Sequence, residues 1–197
     1  MVRLFRCFLF LIACYGCQQQ KGHTTWSHYK GSPENIHYSS LLQIDTATVK
    51  NLQVAWTFRT GDADTAHSSQ IQCNPIIVDG RLYGTTPQMA LFSLDAATGK
   101  EIWRFDPFDT TGGLDNRGLF FILNNSRGVA YWSDAKKDSR IFYTAGSHLY
   151  CIDAGTGKPV KDFAEEGRLD LHTGLDREVA DLFITATSPP IIYNDLL

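Results

Sequence analysis

Few side chains in this sequence could carry chemistry, and they are widely spaced. The five cysteines divide into Cys7, Cys14 and Cys17 near the start and the isolated Cys73 and Cys151. No Cys-x-x-Cys-His run is present to hold a haem. His67, His148 and His172 stand at no metal-ligand spacing and read as surface or hydrogen-bonded residues. Gln72, Arg127 and Thr187 each sit just ahead of a short apolar run. A guanidinium presents paired donors that match the two oxygens of a carboxylate. An amide both donates and accepts, and a hydroxyl does the same in less space. Taken singly, the arginine reads as a surface ion pair beside a strand start, and the threonine as a turn residue before proline. A joint role needs a scaffold that brings three distant positions together.

The sequence carries such a scaffold as a repeat. LDAATGKEIW at 94–103 returns as IDAGTGKPV at 152–160. Each copy reads as two strands joined by a tight turn, with Asp bonding the backbone inside the turn and Gly taking the positive-φ position. A unit of this kind buries its faces only against copies of itself, which points to an all-β propeller. One blade is predicted from strands at 74–78, 81–85, 90–94 and 101–105, with Asp79-Gly80 as a type I′ hairpin turn. A second is predicted from 128–132, 140–144, 148–152 and 160–163, with a charged turn at 135–139. A strand at 187–193 and a turn at Asn194-Asp195 would open a third, giving an incomplete arc of two to three blades. The sequence stops inside that blade, which suggests a truncated piece of a longer propeller. Other expectations are a helix at 46–52 capped by Asp45, a half-buried strand at 54–58, and a short helix within 165–183. Residues 106–125 form a long Gly-, Asp- and Asn-rich loop.

Ahead of the repeats lies a processing signal. Arg3 and Arg6 precede the apolar run FLFLIA at 8–13. LIAC at 11–14 resembles a bacterial lipobox, with Cys14 as the lipidated residue and Cys17 as the alternative. An ordinary cleaved secretory signal is the other reading, and both export the protein. The chain therefore divides into a signal at 1–17, a polar tether at 18–25 and the propeller region at 26–197. The expected location is the periplasm or envelope, held by a lipid anchor only. A net charge of −3 over 197 residues, with no basic patch, argues against a nucleic-acid partner. Cys73 and Cys151 fall in different repeats, and Cys151 reads as a small buried strand residue.

LQVAWTFRTGD (52–62), LFSLDAATGKEIWRFD (91–106), RGVAYW (127–132) and TSPPII (187–192) occur in one order. Together they resemble the pyrroloquinoline-quinone (PQQ) dependent dehydrogenases, especially the glucose dehydrogenase branch. The resemblance implies an eight-bladed propeller with PQQ near its axis. It implies hydride transfer from a sugar or alcohol CH–OH group to PQQ, with electrons passed to a quinone or cytochrome. It places Gln72, Arg127 and Thr187 at cofactor contacts. Calcium is implied for the whole enzyme. Its ligands, and the catalytic Asp, fall in later blades, so no catalytic or metal-ligating residue is assigned in this chain. Phe121 and Ile122 stand where the alcohol branch has adjacent cysteines, and Gln88 stands where the glucose branch often has histidine. A propeller lipoprotein that scaffolds an envelope complex, with no cofactor, is the alternative.

Overall fold

The computed structural model describes residues 25–64, 69–108, 125–179, 181–194, 196 and 197. Cys14, Cys17, His67, Phe121, Ile122 and most of the 106–125 loop lie outside the described residues. Two four-stranded antiparallel sheets dominate. The first runs β1 (Ile76–Val78), β2 (Arg81–Thr85), β3 (Leu91–Asp95) and β4 (Glu101–Phe105) in spatial order. The second runs β5 (Ala130–Ser133), β6 (Ser139–Ala145), β7 (His148–Asp153) and β8 (Arg168–Asp170) in the same way. These are two propeller blades, as the repeat predicts.

The turns form for the expected reasons. Asp79 and Gly80 both take positive φ, 48° and 76°, which a type I′ turn demands, and Val78 pairs with Arg81 across it. In the repeated turn, Asp95 Oδ1 accepts from the backbone N–H of Ala97 and Thr98 and from the Thr98 hydroxyl. Those bonds, the Thr98 hydroxyl first, hold the Asp95 carboxyl below the usual carboxylate range. Gly99 follows at φ 71°. Asp153 repeats the arrangement with Thr156, and Gly157 sits at φ 73°. The charged turn at 135–139 is present too, wound around Asp134 Oδ1.

A tryptophan from earlier in the chain docks on each repeated turn. The Trp103 indole N–H donates to the Ala154 carbonyl at 3.1 Å, and its ring lies so close to Gly157 that a Cβ there would meet it at 2.6 Å. Trp56 does the same one blade earlier, donating to the Ala96 carbonyl at 3.2 Å with its ring over Gly99. The Ala154 carbonyl also accepts from Tyr83 Oη and Arg81 Nη1 of the first blade. Above this bottom edge the two blades bury Ile76, Tyr83, Leu91, Ile141, Tyr143 and Ile152 between them. Burying a side chain of that size contributes roughly 1.5–3 kcal/mol, so the interface between blades is the core of the molecule.

Five expected elements differ. The fourth strand of the second blade is Arg168–Asp170, not 160–163. Val160 donates to the Cys151 carbonyl, the chain then leaves the sheet, and Gly167 returns to accept from the Cys151 N–H. Lys161 occupies the repeat position of Trp103 and has no ring to dock; Phe163 in the excursion instead packs edge-on against Phe142 at 5.6 Å. For the same reason no helix forms among the described residues of 165–183. The open edge of β7 recruits residues 168–170, and Gly167 and Gly174 at positive φ stop helical winding. The helix at 46–52 shrinks to a 3-10 turn, Val49–Asn51; Asp45 still accepts the Ala47 and Thr48 amides ahead of it, as a cap does. Residues 54–58 and 187–192 form no ladder, since no described strand offers them an edge. Tyr193 and Leu196 do exchange two 3.0 Å bonds across Asn194, so that turn is present, with Asp195 itself outside the described residues.

Candidate functional site

The first strand of each blade begins at the same end of the arc, and there two of the predicted site residues, Arg127 and Thr187, meet. Asn74, just before β1, donates its backbone N–H to the Arg127 carbonyl at 2.9 Å. Its side-chain amide reaches the same oxygen at 3.4 Å. Arg127, just before β5, donates its own N–H to the Thr187 carbonyl at 2.8 Å. Three chain segments far apart in sequence are thus tied backbone to backbone in one row. Arg127 and Thr187 are bonded directly. Gln72 stands two residues ahead of Asn74, exposed, with its amide donating to Gln70 Oε1 at 3.2 Å.

The row is close-packed. Gly128 takes φ 150°, and a Cβ there would lie 2.9 Å from the Asn74 carbonyl oxygen and 3.2 Å from the Tyr29 ring. Only glycine lets the segments approach this closely. Buried Ser126 donates its hydroxyl to the Gly128 carbonyl and accepts the Gly128 N–H, which fixes the turn into β5. The Arg127 side chain is exposed, and its guanidinium has no hydrogen-bond or ion-pair partner among the described residues. Among the described residues the Arg127 guanidinium is thus unpaired, carried on a backbone tied to two other segments.

The loop between β2 and β3 opens toward the same end. Thr86 and Ala90 close it with reciprocal bonds, and Met89 is buried at φ 69°. Gln88 donates its backbone N–H to Asp62 Oδ2 at 3.3 Å, while Asp62 Oδ1 is buried without a partner among the described residues. Cys73 Sγ accepts the Thr85 N–H at 3.3 Å, and burial pushes its thiol up. Cys73 and Cys151 are both free thiols, and Cys151 is fully buried. Among the described residues no three His, Cys, Asp or Glu side chains gather as a metal site.

The profile of the family described as glucose/ethanol/alcohol dehydrogenase, β-propeller domain, matches residues 26–197. The chain belongs to that PQQ family. It is 35% identical over 162 residues to quinoprotein glucose dehydrogenase A of Acinetobacter calcoaceticus, covering 75% of this chain and 20% of that one. It is 34% identical over 184 residues to the quinoprotein glucose dehydrogenase of Escherichia coli K12, covering 86% and 22%. Its fold superposes on a quinohemoprotein alcohol dehydrogenase of Pseudomonas putida HK5 with a TM-score of 0.68 at 26% identity, covering 88% of this chain and 22% of that chain. The chain thus spans about a fifth of the length of these relatives.

Two features of this end of the arc were not legible in the sequence. The backbone row runs through N–H and carbonyl groups that every residue carries, so no side-chain pattern announces it. His172 is hydrogen-bonded, as expected, but its acceptors are Asp170 and a backbone carbonyl ten residues on, at Leu182. The Asp-x-His spacing was the only available signal.

Proposed function

We propose that this chain forms the opening arc of a PQQ-dependent dehydrogenase that oxidises a CH–OH group of a sugar or alcohol and delivers the electrons to a quinone or cytochrome. The observation that carries this reading is the row joining Asn74, Arg127 and Thr187, with the Arg127 guanidinium unpaired among the described residues. Gln72, Arg127 and Thr187 would hold one edge of the cofactor. PQQ carries carboxylates and an ortho-quinone, and when bound it supplies the hydride acceptor. The chain's own contribution is positional. The Arg127 donors fit a carboxylate, while Thr187 and Gln72 add neutral bonds. Calcium, its ligands and the proton-accepting Asp are assigned to blades beyond this sequence. The protein is proposed to work in the periplasm or envelope, anchored by lipid at Cys14 or, in the alternative, Cys17.

Cofactor affinity tests the reading. In the protein containing this arc, Arg127→Ala should weaken PQQ binding, followed by absorbance titration, by roughly 10–100-fold, the loss expected for a charge-assisted hydrogen bond. Thr187→Ala and Gln72→Ala should each cost less, about tenfold at most. The 197-residue chain alone should show no dye-linked turnover with PQQ and calcium. Turnover by it would refute the placement of the catalytic groups elsewhere. An unchanged PQQ affinity in Arg127→Ala would refute the cofactor edge and favour the scaffold alternative.

A further inference from the structure

At the top edge of the second blade, β8 ends on Asp170 and the chain turns sharply, with Thr173 donating to the Asp170 carbonyl at 3.1 Å. His172 sits in that turn. Its backbone N–H donates to Asp170 Oδ1 at 2.9 Å. Its ring Nδ1 meets the same oxygen at 2.6 Å, and its Nε2 meets the Leu182 carbonyl oxygen at 2.7 Å. A carboxylate and a peptide carbonyl are both acceptors, with no proton to offer. Each ring nitrogen must therefore supply its own proton, and the geometry describes an imidazolium. The Leu182 carbonyl belongs to the return segment that ends at Thr187, whose own carbonyl receives the Arg127 N–H.

We infer that Asp170 and His172 form a proton-dependent latch, which holds the segment from residue 175 to residue 186 on the edge of the second blade and so fixes the Arg127–Thr187 rung. The inference rests on the hydrogen bonds alone and is independent of any cofactor. Deprotonation removes one of the two ring N–H groups. The latch then loses either its carboxylate bond or its carbonyl bond.

The surrounding groups favour the protonated, closed form. The Leu182 carbonyl first, and then Asp170, raise the His172 imidazole above its ordinary value. The Asp170 carboxyl is held below the usual carboxylate range, by the His172 backbone N–H first and by the His172 ring next. His148 on β7 is paired with Asp170 across the ladder, and burial first, then Arg168, with His172 also contributing, lower its imidazole. Arg168 and Glu165 act on His148 from the outer strand, and the return segment itself carries Asp176, Arg177, Glu178 and Asp181. A folded-state value raised above the unfolded one stabilises below the ordinary histidine range. That contribution is lost as pH rises through the raised value. On the acid side, the latch opens as pH falls through the lowered Asp170 value.

Hydrogen exchange on the 197-residue chain, corrected for intrinsic rates, tests the latch between about pH 5.5 and about pH 8.5, the span over which histidine titrates. Protection of amides in 175–187 should fall about tenfold across the His172 titration, while amides of β6 and β7 stay unchanged. Nitrogen-detected NMR should show both His172 ring nitrogens protonated at the acid end. In His172→Gln, whose amide can still donate to the Leu182 carbonyl but cannot titrate, protection of 175–187 should become flat with pH. Asp170→Asn should move the His172 midpoint downward. The inference is overturned by wild-type protection that does not vary with pH. It is equally overturned by the same pH slope in His172→Gln, or by a His172 midpoint at or below the ordinary value.

Discussion

Gly157→Ala tests how the blades are held together. Gly157 sits at φ 73°, and an alanine there pays the left-handed penalty of about 1–2 kcal/mol. Its Cβ would also lie 2.6 Å from Cδ2 and Cε3 of Trp103. That is roughly 1 Å inside the usual 3.5–4 Å carbon–carbon separation. The indole must slide, which stretches its 3.1 Å bond to the Ala154 carbonyl, worth about 1 kcal/mol, and loosens packing at a further cost of about 1–3 kcal/mol. The expected total is about 3–6 kcal/mol. Gly174 supplies the control: φ is 79°, and nothing lies within 4 Å of its Cβ position, so Gly174→Ala should cost the backbone term alone. The assay is equilibrium urea unfolding by far-ultraviolet circular dichroism, at protein concentrations where sedimentation shows a monomer. The two variants should differ by about 2–4 kcal/mol. In a Trp103→Ala background the clash disappears, and Gly157→Ala should then cost no more than the control. Equal losses for Gly157→Ala and Gly174→Ala, or an undiminished loss in the Trp103→Ala background, would refute the docking argument.

Two further outcomes follow from burial. Burial raises the Cys73 thiol and pushes the Cys151 thiol up to about 11, so both should resist a thiol reagent at about pH 8 until denaturant is added, and rapid modification of either in the native chain would contradict the packing. The face of the second blade turned away from the first exposes a groove of about 290 Å³ lined by Trp132, Phe142, Phe163 and Ile192, so the isolated chain should self-associate as concentration rises in sedimentation velocity; a strictly monomeric profile would count against an exposed apolar face.

The parts of the fold that were legible in the sequence are those where a side chain dictates the backbone. Asp79-Gly80 allows one hairpin geometry, and Asp95 with Thr98 and Gly99 allows one turn. The apolar runs on either side then have one way to bury themselves. The misread elements are those where the backbone answers to a distant partner. Residues 168–170 have no strong strand signature, yet β7 has an open edge and 168–170 fill it. Residues 54–58 alternate like a strand, yet the ladder needs a neighbour that the described chain does not provide. The site divides along the same line. Arg127 and Thr187 could be singled out by the family resemblance of their segments, but their direct bond runs through main-chain atoms and appears only once the blades are stacked.

The two repeats also differ where the difference has a consequence. Trp56 and Trp103 each lock the turn of the blade that follows, and Trp103 shares the Ala154 carbonyl with Arg81 and Tyr83. The second blade keeps an arginine at the corresponding place, Arg140, but replaces the tyrosine with Phe142 and the tryptophan with Lys161. Phenylalanine cannot donate, and a lysine at that position has no ring to lie on a glycine. A lock of the same kind to the next unit is therefore absent from the second repeat. In its place, residues 160–167 leave the sheet and lay Phe163 on Phe142. Apolar contact of this sort is strong but undirected. Directional bonds to the segment leading to Thr187 include His172 to the Leu182 carbonyl and the Arg127 N–H to the Thr187 carbonyl.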